Sequence, residues 1–192
     1  LWVRDVPARF KDRAPRVVST PQGDFWMTDS QMSGAIGLDS SAGKKPEDYK
    51  PSGLTYKDMR PGSYDPAARL VDMDTDGVDA EVLYFGGPVT QYAADPDLRN
   101  YVVQRYIDWM LELSNASPTR LVGLAHVPLI DIDEAIRELD RIAKLGLKGF
   151  HCDPFPDERG GKPLSDPSYE PFWARVAETG LPISFHIVGP RK

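Results

Sequence analysis

The chain has 192 residues, 41% of them hydrophobic and 27% charged, which is typical of one globular domain. A formal net charge of −6 and a pI near 5.1 argue against binding to nucleic acid or to an anionic membrane surface, because both bind proteins through a basic face. We therefore expect neither as a partner. The single cysteine, Cys152, excludes an internal disulfide and a multi-cysteine metal site, which favours a reducing compartment, the cytoplasm.

The first third of the chain is predicted to contain a long loop. Residues 20–65 are rich in Gly, Ser, Asp, Lys and Pro and follow neither the period of a strand nor that of a helix. Loops of this length cover a site, form the arm of an oligomer or stay disordered, and the composition is compatible with all three.

From Pro66 onward, helices and strands are predicted to alternate. Gly77, Gly146 and Gly180 each stand between a helical pattern and a branched apolar residue, as in helix C-caps. The predicted helices are "DPAARLVDMDTDG", "DPDLRNYVVQRYIDWMLELSNASP", "DIDEAIRELDRIAKLG" and "DPSYEPFWARVAETG"; the predicted strands are "VDAEVLYF", "RLVGLAHVPL", "LKGFHC" and "LPISFHIV".

This alternation predicts an α/β fold with a parallel sheet covered by helices. A doubly wound sheet that binds a nucleotide cofactor usually shows a Gly-rich turn after its first strand. Here "FGGPV" is the only candidate, and it lacks the G-x-G-x-x-G spacing. A (β/α)8 barrel needs no such turn and is therefore favoured.

The three histidines of the chain lie at the carboxyl ends of successive predicted strands. In a parallel barrel these ends meet at one mouth, where active sites are built. We therefore predict a substrate pocket lined by His126, His151, Asp153 and Tyr84, all near strand ends. The alternative is that each histidine only satisfies a backbone carbonyl or lies in the core. For His186 the choice is between a buried strand residue and a metal ligand.

Other polar and aromatic residues have simpler interpretations. Arg4 and Arg60 are candidates to meet a substrate carboxylate, although solvation is the commoner fate of an arginine. Trp109 and Trp173 lie on predicted helices and are expected in the core or at subunit contacts of a homo-oligomer. Cys152 is predicted to be a small buried residue, because no neighbouring base or cation would activate its thiol.

Three stretches of the chain resemble one known family. "DPAARLVDMDTDGVDAEVLY", "RLVGLAHVPLIDIDEAIRELDRIAKLGLKGF" and "DPSYEPFWARVAETGLPISFHIVG" are similar to the amidohydrolase-2 family of the amidohydrolase superfamily. That family includes metal-dependent hydrolases and decarboxylases that resemble aminocarboxymuconate-semialdehyde decarboxylase. The opening "LWVRDVPARFKDRAPRVV" is similar to the segment that follows the family's first strand.

The resemblance implies a (β/α)8 TIM barrel, of which residues 1–192 cover roughly strands two to five as a single partial domain. It implies a divalent metal ion, zinc or alternatively manganese, held in part by a histidine at the tip of the fifth strand. The matching residue is His186. The first-strand ligands would precede Leu1, and the closing aspartate and the acid–base group would follow Lys192. We therefore expect the chain to be an excerpt of a longer protein.

The function that this resemblance implies is that of an enzyme, a metal-dependent hydrolase or a non-oxidative decarboxylase. Its substrate would be a small carboxylate or a cyclic or aromatic molecule. Two alternatives remain at this point: a catalytically inactive barrel that serves as a binding or assembly module, and a doubly wound cofactor-binding domain.

Overall fold

The computed structural model describes residues 1–37, 39–84 and 94–186. The chain divides into two compact units, one of Leu1–Asp79 with Gly87–Tyr106 and one of Ala80–Gly86 with Ile107–Lys192. The predicted Gly-rich candidate, residues 85–89, lies outside the described residues. The strands are β1 (Arg16–Thr20), β2 (Gly23–Thr28), β3 (Gln31–Ala35), β4 (Glu81–Leu83), β5 (Leu121–Gly123), β6 (Ala125–His126), β7 (Phe150–Cys152) and β8 (Ile183–Phe185), and the helices are α1 (Pro66–Asp76), α2 (Pro96–Asn115), α3 (Ile132–Leu145) and α4 (Glu170–Thr179).

The first unit contains an antiparallel sheet in the order β1-β2-β3, with β2 in the centre. The prediction of an irregular segment over residues 20–65 is therefore wrong where β2 and β3 lie. The described remainder of that segment contains four short 3₁₀ turns, and it contacts β2 where Asp24 N–H donates to Leu54 O at 2.9 Å. Gly23 permits this approach, because a Cβ at that position would lie 2.7 Å from the same oxygen.

Helix α1 follows this segment and begins and ends where its sequence predicts. Asp65 accepts the N–H groups of Ala67 and Ala68, and Gly77 ends the helix with a left-handed φ of 71°. Arg60 forms a two-point pair with the Asp72 carboxylate of α1, with nitrogen–oxygen distances of 2.8 and 2.6 Å. Arg4, the other arginine nominated for a carboxylate, lies at the surface beside Asp5.

The second unit contains parallel strands that neighbour one another in chain order. β4 pairs with β5, and β6-β7-β8 form a further sheet, all of them parallel. The predicted single strand "RLVGLAHVPL" is two short strands, because the chain changes partner within it. Leu124 N–H still donates to Leu83 O at the end of β4, whereas Ala125 N–H donates to Gly149 O directly before β7. This stretch thus has β4 on one side and β7 on the other.

Helices α3 and α4 cover this sheet with one apolar face each. Leu139 and Ile142 of α3 and Phe172 of α4 are fully buried, and the Phe172 ring meets the Phe150 ring of β7 edge-on at 6.2 Å. Asp131 caps α3 by accepting Glu134 N–H, while Gly146 and Gly180 end α3 and α4 with left-handed φ values. The predicted α/β alternation is confirmed. In the described ranges we find no helix with the length and apolar character needed to traverse a bilayer.

Candidate active site at the strand ends of the second unit

The candidate site is built from polar side chains at the ends of β6, β7 and β8. His126, His151 and Ser184 occupy paired positions on these three neighbouring strands. Side chains at paired positions of a sheet point to the same face. His186 follows Ser184 by two residues and returns to that face, while its own N–H donates to Cys152 O at 2.9 Å. The short strands therefore bring the three histidines together.

The histidine rings contact one another and the ring of Tyr84. His126 and His151 approach to 3.5 Å between their Nδ1 atoms, and the His151 and His186 ring centroids are 5.8 Å apart. Tyr84, directly after β4, lies 5.7 Å from the His151 ring and 5.8 Å from the His186 ring. Its hydroxyl donates to Ser184 Oγ at 3.0 Å. Of the predicted pocket residues, Tyr84, His126 and His151 thus form one cluster with His186.

Burial keeps the two central imidazoles neutral. His126 and His151 are 4% and 0% exposed. Desolvation lowers the pKa of His126 to about 4, and electrostatic interactions with His186 and Arg159 add to the effect. Desolvation likewise lowers the pKa of His151 to about 3, helped by His126 and His186. At neutral pH the two rings therefore offer hydrogen-bond donors and acceptors without net charge.

Acid is expected to destabilise the protein through these two histidines. In the unfolded chain they take up protons near pKa 6.5, whereas in the folded protein they resist protonation to about 4 and 3. The contribution of these two histidines to the free energy of unfolding is therefore fully present above pH 6.5. It is lost as the pH falls, by up to about 1.4 kcal/mol per pH unit for each histidine. Urea unfolding of chelator-treated protein between about pH 6.5 and 5, above the carboxylate range, measures this slope. His126→Gln should remove about half of it, and an unchanged slope in that variant would contradict the assignment.

His186 differs from the other two histidines in its hydrogen bonding. Its Nδ1 atom is buried, and no donor or acceptor in residues 1–37, 39–84 or 94–186 pairs with it. A buried polar atom without a partner is costly, and a neutral imidazole nitrogen is a common metal ligand. This atom therefore fits a metal ion. The described part of the chain contains no group of three His, Cys, Asp or Glu side chains that could hold an ion by itself, so a site that included His186 would need further ligands.

Asp153 lies at the strand ends but uses both carboxylate oxygens within its own loop. Oδ1 accepts Phe155 N–H at 2.8 Å, and Oδ2 accepts the Nε–H of Arg159. Its neighbour Cys152 is fully buried, and desolvation raises the pKa of the thiol well above its ordinary value. The thiol is thus the inert, buried group that its sequence context predicts.

Two residues of this region were missed by reasoning from the sequence. Ser184 alternates with His186 in "ISFH", so the period of a strand would have indicated that it shares the face of the imidazole. Arg159 gives no comparable signal, because it lies six residues beyond Asp153 in a loop. The arginines nominated instead, Arg4 and Arg60, both belong to the first unit.

Comparison with known proteins identifies one family for nearly the whole chain. The family model described as amidohydrolase matches residues 8–190. A gamma-resorcylate decarboxylase from Rhizobium radiobacter is 31% identical over 158 residues, which cover 80% of this chain and 46% of that protein. The chain thus spans less than half the length of this relative.

Solved structures give the same picture. A dihydroxybenzoic acid decarboxylase from Polaromonas sp. JS666, solved with bound manganese and the inhibitor 2-nitroresorcinol, is 29% identical with a TM-score of 0.60. The match covers 81% of this chain and 46% of that one. An amidohydrolase from Mycobacterium avium subsp. paratuberculosis covers 97% of this chain and 55% of its own, with a TM-score of 0.70 at 23% identity, which supports the shared fold alone.

Proposed function

The chain belongs to the amidohydrolase family, and from this premise we propose that the protein is a metal-dependent decarboxylase of small aromatic carboxylates. The observation that carries the proposal is the buried Nδ1 of His186, which has no partner among the residues that the structure describes and lies beside the neutral imidazoles of His126 and His151. The relatives of this chain from Rhizobium and Polaromonas are named as decarboxylases of hydroxylated aromatic acids. Their names favour decarboxylation over the hydrolysis that the family also includes.

The proposal includes the architecture of the whole domain. In a (β/α)8 barrel, parallel strands neighbour one another in chain order, as β4, the β5–β6 stretch, β7 and β8 do. We assign these four stretches to barrel strands two to five, within a single partial domain of residues 1–192. His186 then stands at the tip of the fifth strand.

The proposed ion is divalent and is bound by His186 as a neutral imidazole. The sequence favoured zinc, but the Polaromonas relative holds manganese, so we propose manganese first and zinc as the competitor. Such an ion would act as a Lewis acid that polarises substrate oxygens. Around it, the chain's own residues would orient the substrate: the Tyr84 ring and the His151 ring form one wall, and Tyr84 is held in place by its bond to Ser184.

Membership of this family also leads to proposals for the ligand, the oligomeric state and the cellular location of the protein. We propose a small aromatic acid as the ligand, as the names of the relatives suggest, and a homo-oligomer as the working form. The buried, unpaired thiol of Cys152 supports the proposed reducing compartment, the cytoplasm.

Removal of the metal is expected to abolish decarboxylation. Chelator-treated protein should lose at least about 1,000-fold in kcat/KM for hydroxylated benzoates, because the ion stabilises developing charge by several kcal/mol. Added Mn²⁺ should restore the activity, and CO₂ release gives the readout. Turnover that survives full metal removal would contradict the proposal. Metal-dependent turnover of esters or amides without CO₂ release would make the protein a hydrolase, and stoichiometric metal without any turnover would favour a binding module.

A further inference from the structure

The loop that follows β7 holds an arginine beside the candidate site. Arg159 ends a 3₁₀ turn, Pro156–Arg159, and donates its Nε–H to the Asp153 carboxylate. The Asp153 side chain is 10% exposed and that of Arg159 is 26% exposed. Asp153 is thus enclosed, while the guanidinium it holds keeps contact with solvent. A guanidinium has five N–H donors in a rigid plane, so an Nε bond to one carboxylate also sets the direction of the other donors.

The loop around Arg159 is held rigidly to the neighbouring strand exit. The hydroxyl of Tyr169, which is fully buried, donates to Leu129 O at 2.7 Å and accepts Lys162 N–H at 3.2 Å. Gly161 lies so close to the same backbone that a Cβ there would be 2.7 Å from Leu129 O. These contacts join the loop after β7 to the loop after β6. Arg159 is therefore carried on a fixed support, as a preorganised binding residue requires.

The position of Arg159 relates it to the histidine cluster. Asp153, whose carboxylate holds the guanidinium, stands two residues after His151, so the period of a strand places the two side chains on the same face of the sheet. Consistent with this position, the charge of Arg159 helps to lower the pKa of His126. Arg159 thus brings a cationic group to this rim, beside the uncharged rings of His126 and His151. A cation at this position would attract a negatively charged or hydrogen-bond-accepting group of a ligand that enters the site.

We propose that Arg159 determines substrate specificity by donating to a carboxylate or phenolic oxygen that remains on the product, and that Asp153 is its positioning residue. The inference rests on the proposed function. Decarboxylation converts the reacting carboxylate into neutral CO₂ while a proton replaces it on the ring. A guanidinium bound to that carboxylate would stabilise the ground state and oppose the reaction. The oxygen for Arg159 therefore belongs to a second carboxylate or to a phenolic hydroxyl of the same aromatic ring.

Calorimetric binding to the manganese-loaded protein tests this assignment with three probes: benzoate, 2-hydroxybenzoate and benzene-1,3-dicarboxylate. Arg159→Gln should weaken binding of the probe with the matching second group about 10- to 100-fold, the loss of a charge-assisted hydrogen bond. Benzoate should change by less than about 3-fold. A loss of affinity for the hydroxybenzoate would identify the group that Arg159 binds as a hydroxyl, and a loss for the dicarboxylate would identify it as a carboxylate. Equal losses for benzoate and both other probes, or no loss for any, would overturn the proposal.

Two further variants separate binding from loop structure. Arg175→Gln is the matched control, because Arg175 also donates its Nε–H to an aspartate, Asp140 of α3, at 2.7 Å. It should leave the preference among the probes unchanged, and an equal loss in this control would overturn the proposal. If Arg159→Gln does not fold, Arg159→Lys tests the proposal in its place. Lysine keeps the charge but lacks the planar guanidinium, so this variant should also reduce the preference for the probe with the second group over benzoate. An unchanged preference in Arg159→Lys would overturn the proposal.

The positioning role of Asp153 has its own readout. Asp153→Asn keeps an acceptor for Phe155 N–H but weakens the hold on Arg159. In otherwise wild-type protein, Asp153→Asn should lower the preference for the probe with the second group over benzoate. In the Arg159→Gln variant it should have no further effect on this preference, because the effects of residues that act as a unit are not additive. Additive losses would overturn the positioning role. If wild-type protein binds the probes selectively but releases no CO₂, the proposed function fails while the arginine assignment stands.

Discussion

His186→Ala is expected to lower the affinity of the protein for Mn²⁺ by more than about 100-fold, since even residues that only orient a metal ligand contribute 10- to 100-fold. The buried Nδ1 of His186 has no partner in the described part of the chain, and an ion would supply that partner. The substituted protein should therefore lose its stoichiometric metal on dialysis and, with it, metal-dependent turnover. Elemental analysis after dialysis measures the first effect, and CO₂ release measures the second.

His126→Ala is the matched control for this prediction. It removes an imidazole from the same cluster, but one whose Nδ1 already faces that of His151 at 3.5 Å. The control should retain its metal. Full metal content in His186→Ala would contradict the assignment of His186 as a ligand, and equal metal loss in both variants would show that the cluster as a whole, rather than His186, is required.

Phe172→Ala is expected to lower the free energy of unfolding by about 3–5 kcal/mol, the cost of a large cavity in a packed core. Phe172 is fully buried and joins α4 to β7 through its edge-on contact with Phe150. Because β7 carries His151 and leads into Asp153, the cavity should also loosen the candidate site. Thermal and urea unfolding of the metal-free protein measure the loss.

Tyr49→Ala provides the comparison at the surface. It is likewise an aromatic-to-alanine change, but Tyr49 is 50% exposed. Its loss should cost less than about 1 kcal/mol. Equal destabilisation by the two substitutions would contradict the packing described for α4 on β7.

The helices and the convergence of the histidines could be predicted from local physical signals. Gly77, Gly146 and Gly180 all adopt left-handed φ values directly after helices, because few other residues accept that conformation without strain. The parallel pairing of β6, β7 and β8 then follows from the alternation of helices and strands. That pairing alone brings His126 and His151 side by side.

The sheet of the first unit and the loop after β7 could not be predicted in the same way. β2 and β3 are stabilised by cross-strand pairs and by the docking of residues distant in the chain, such as Leu54 on Asp24, and these long-range contacts leave no period in the sequence. Likewise, Arg159 reaches Asp153 through a turn whose geometry depends on Gly160 and Gly161. The pocket-lining role predicted for Asp153 stays a prediction, and its bond to Arg159 is a contact that the sequence did not indicate.

The imidazole of His186 is expected to bind a divalent cation. A crystal of the manganese-loaded protein, measured at the manganese absorption edge, locates the ion by its anomalous scattering. We predict a single strong peak about 2.1 Å from Nδ1 of His186, the usual distance between a divalent ion and an imidazole nitrogen. A peak bound elsewhere, with Nδ1 of His186 satisfied by a protein group, would contradict the claim.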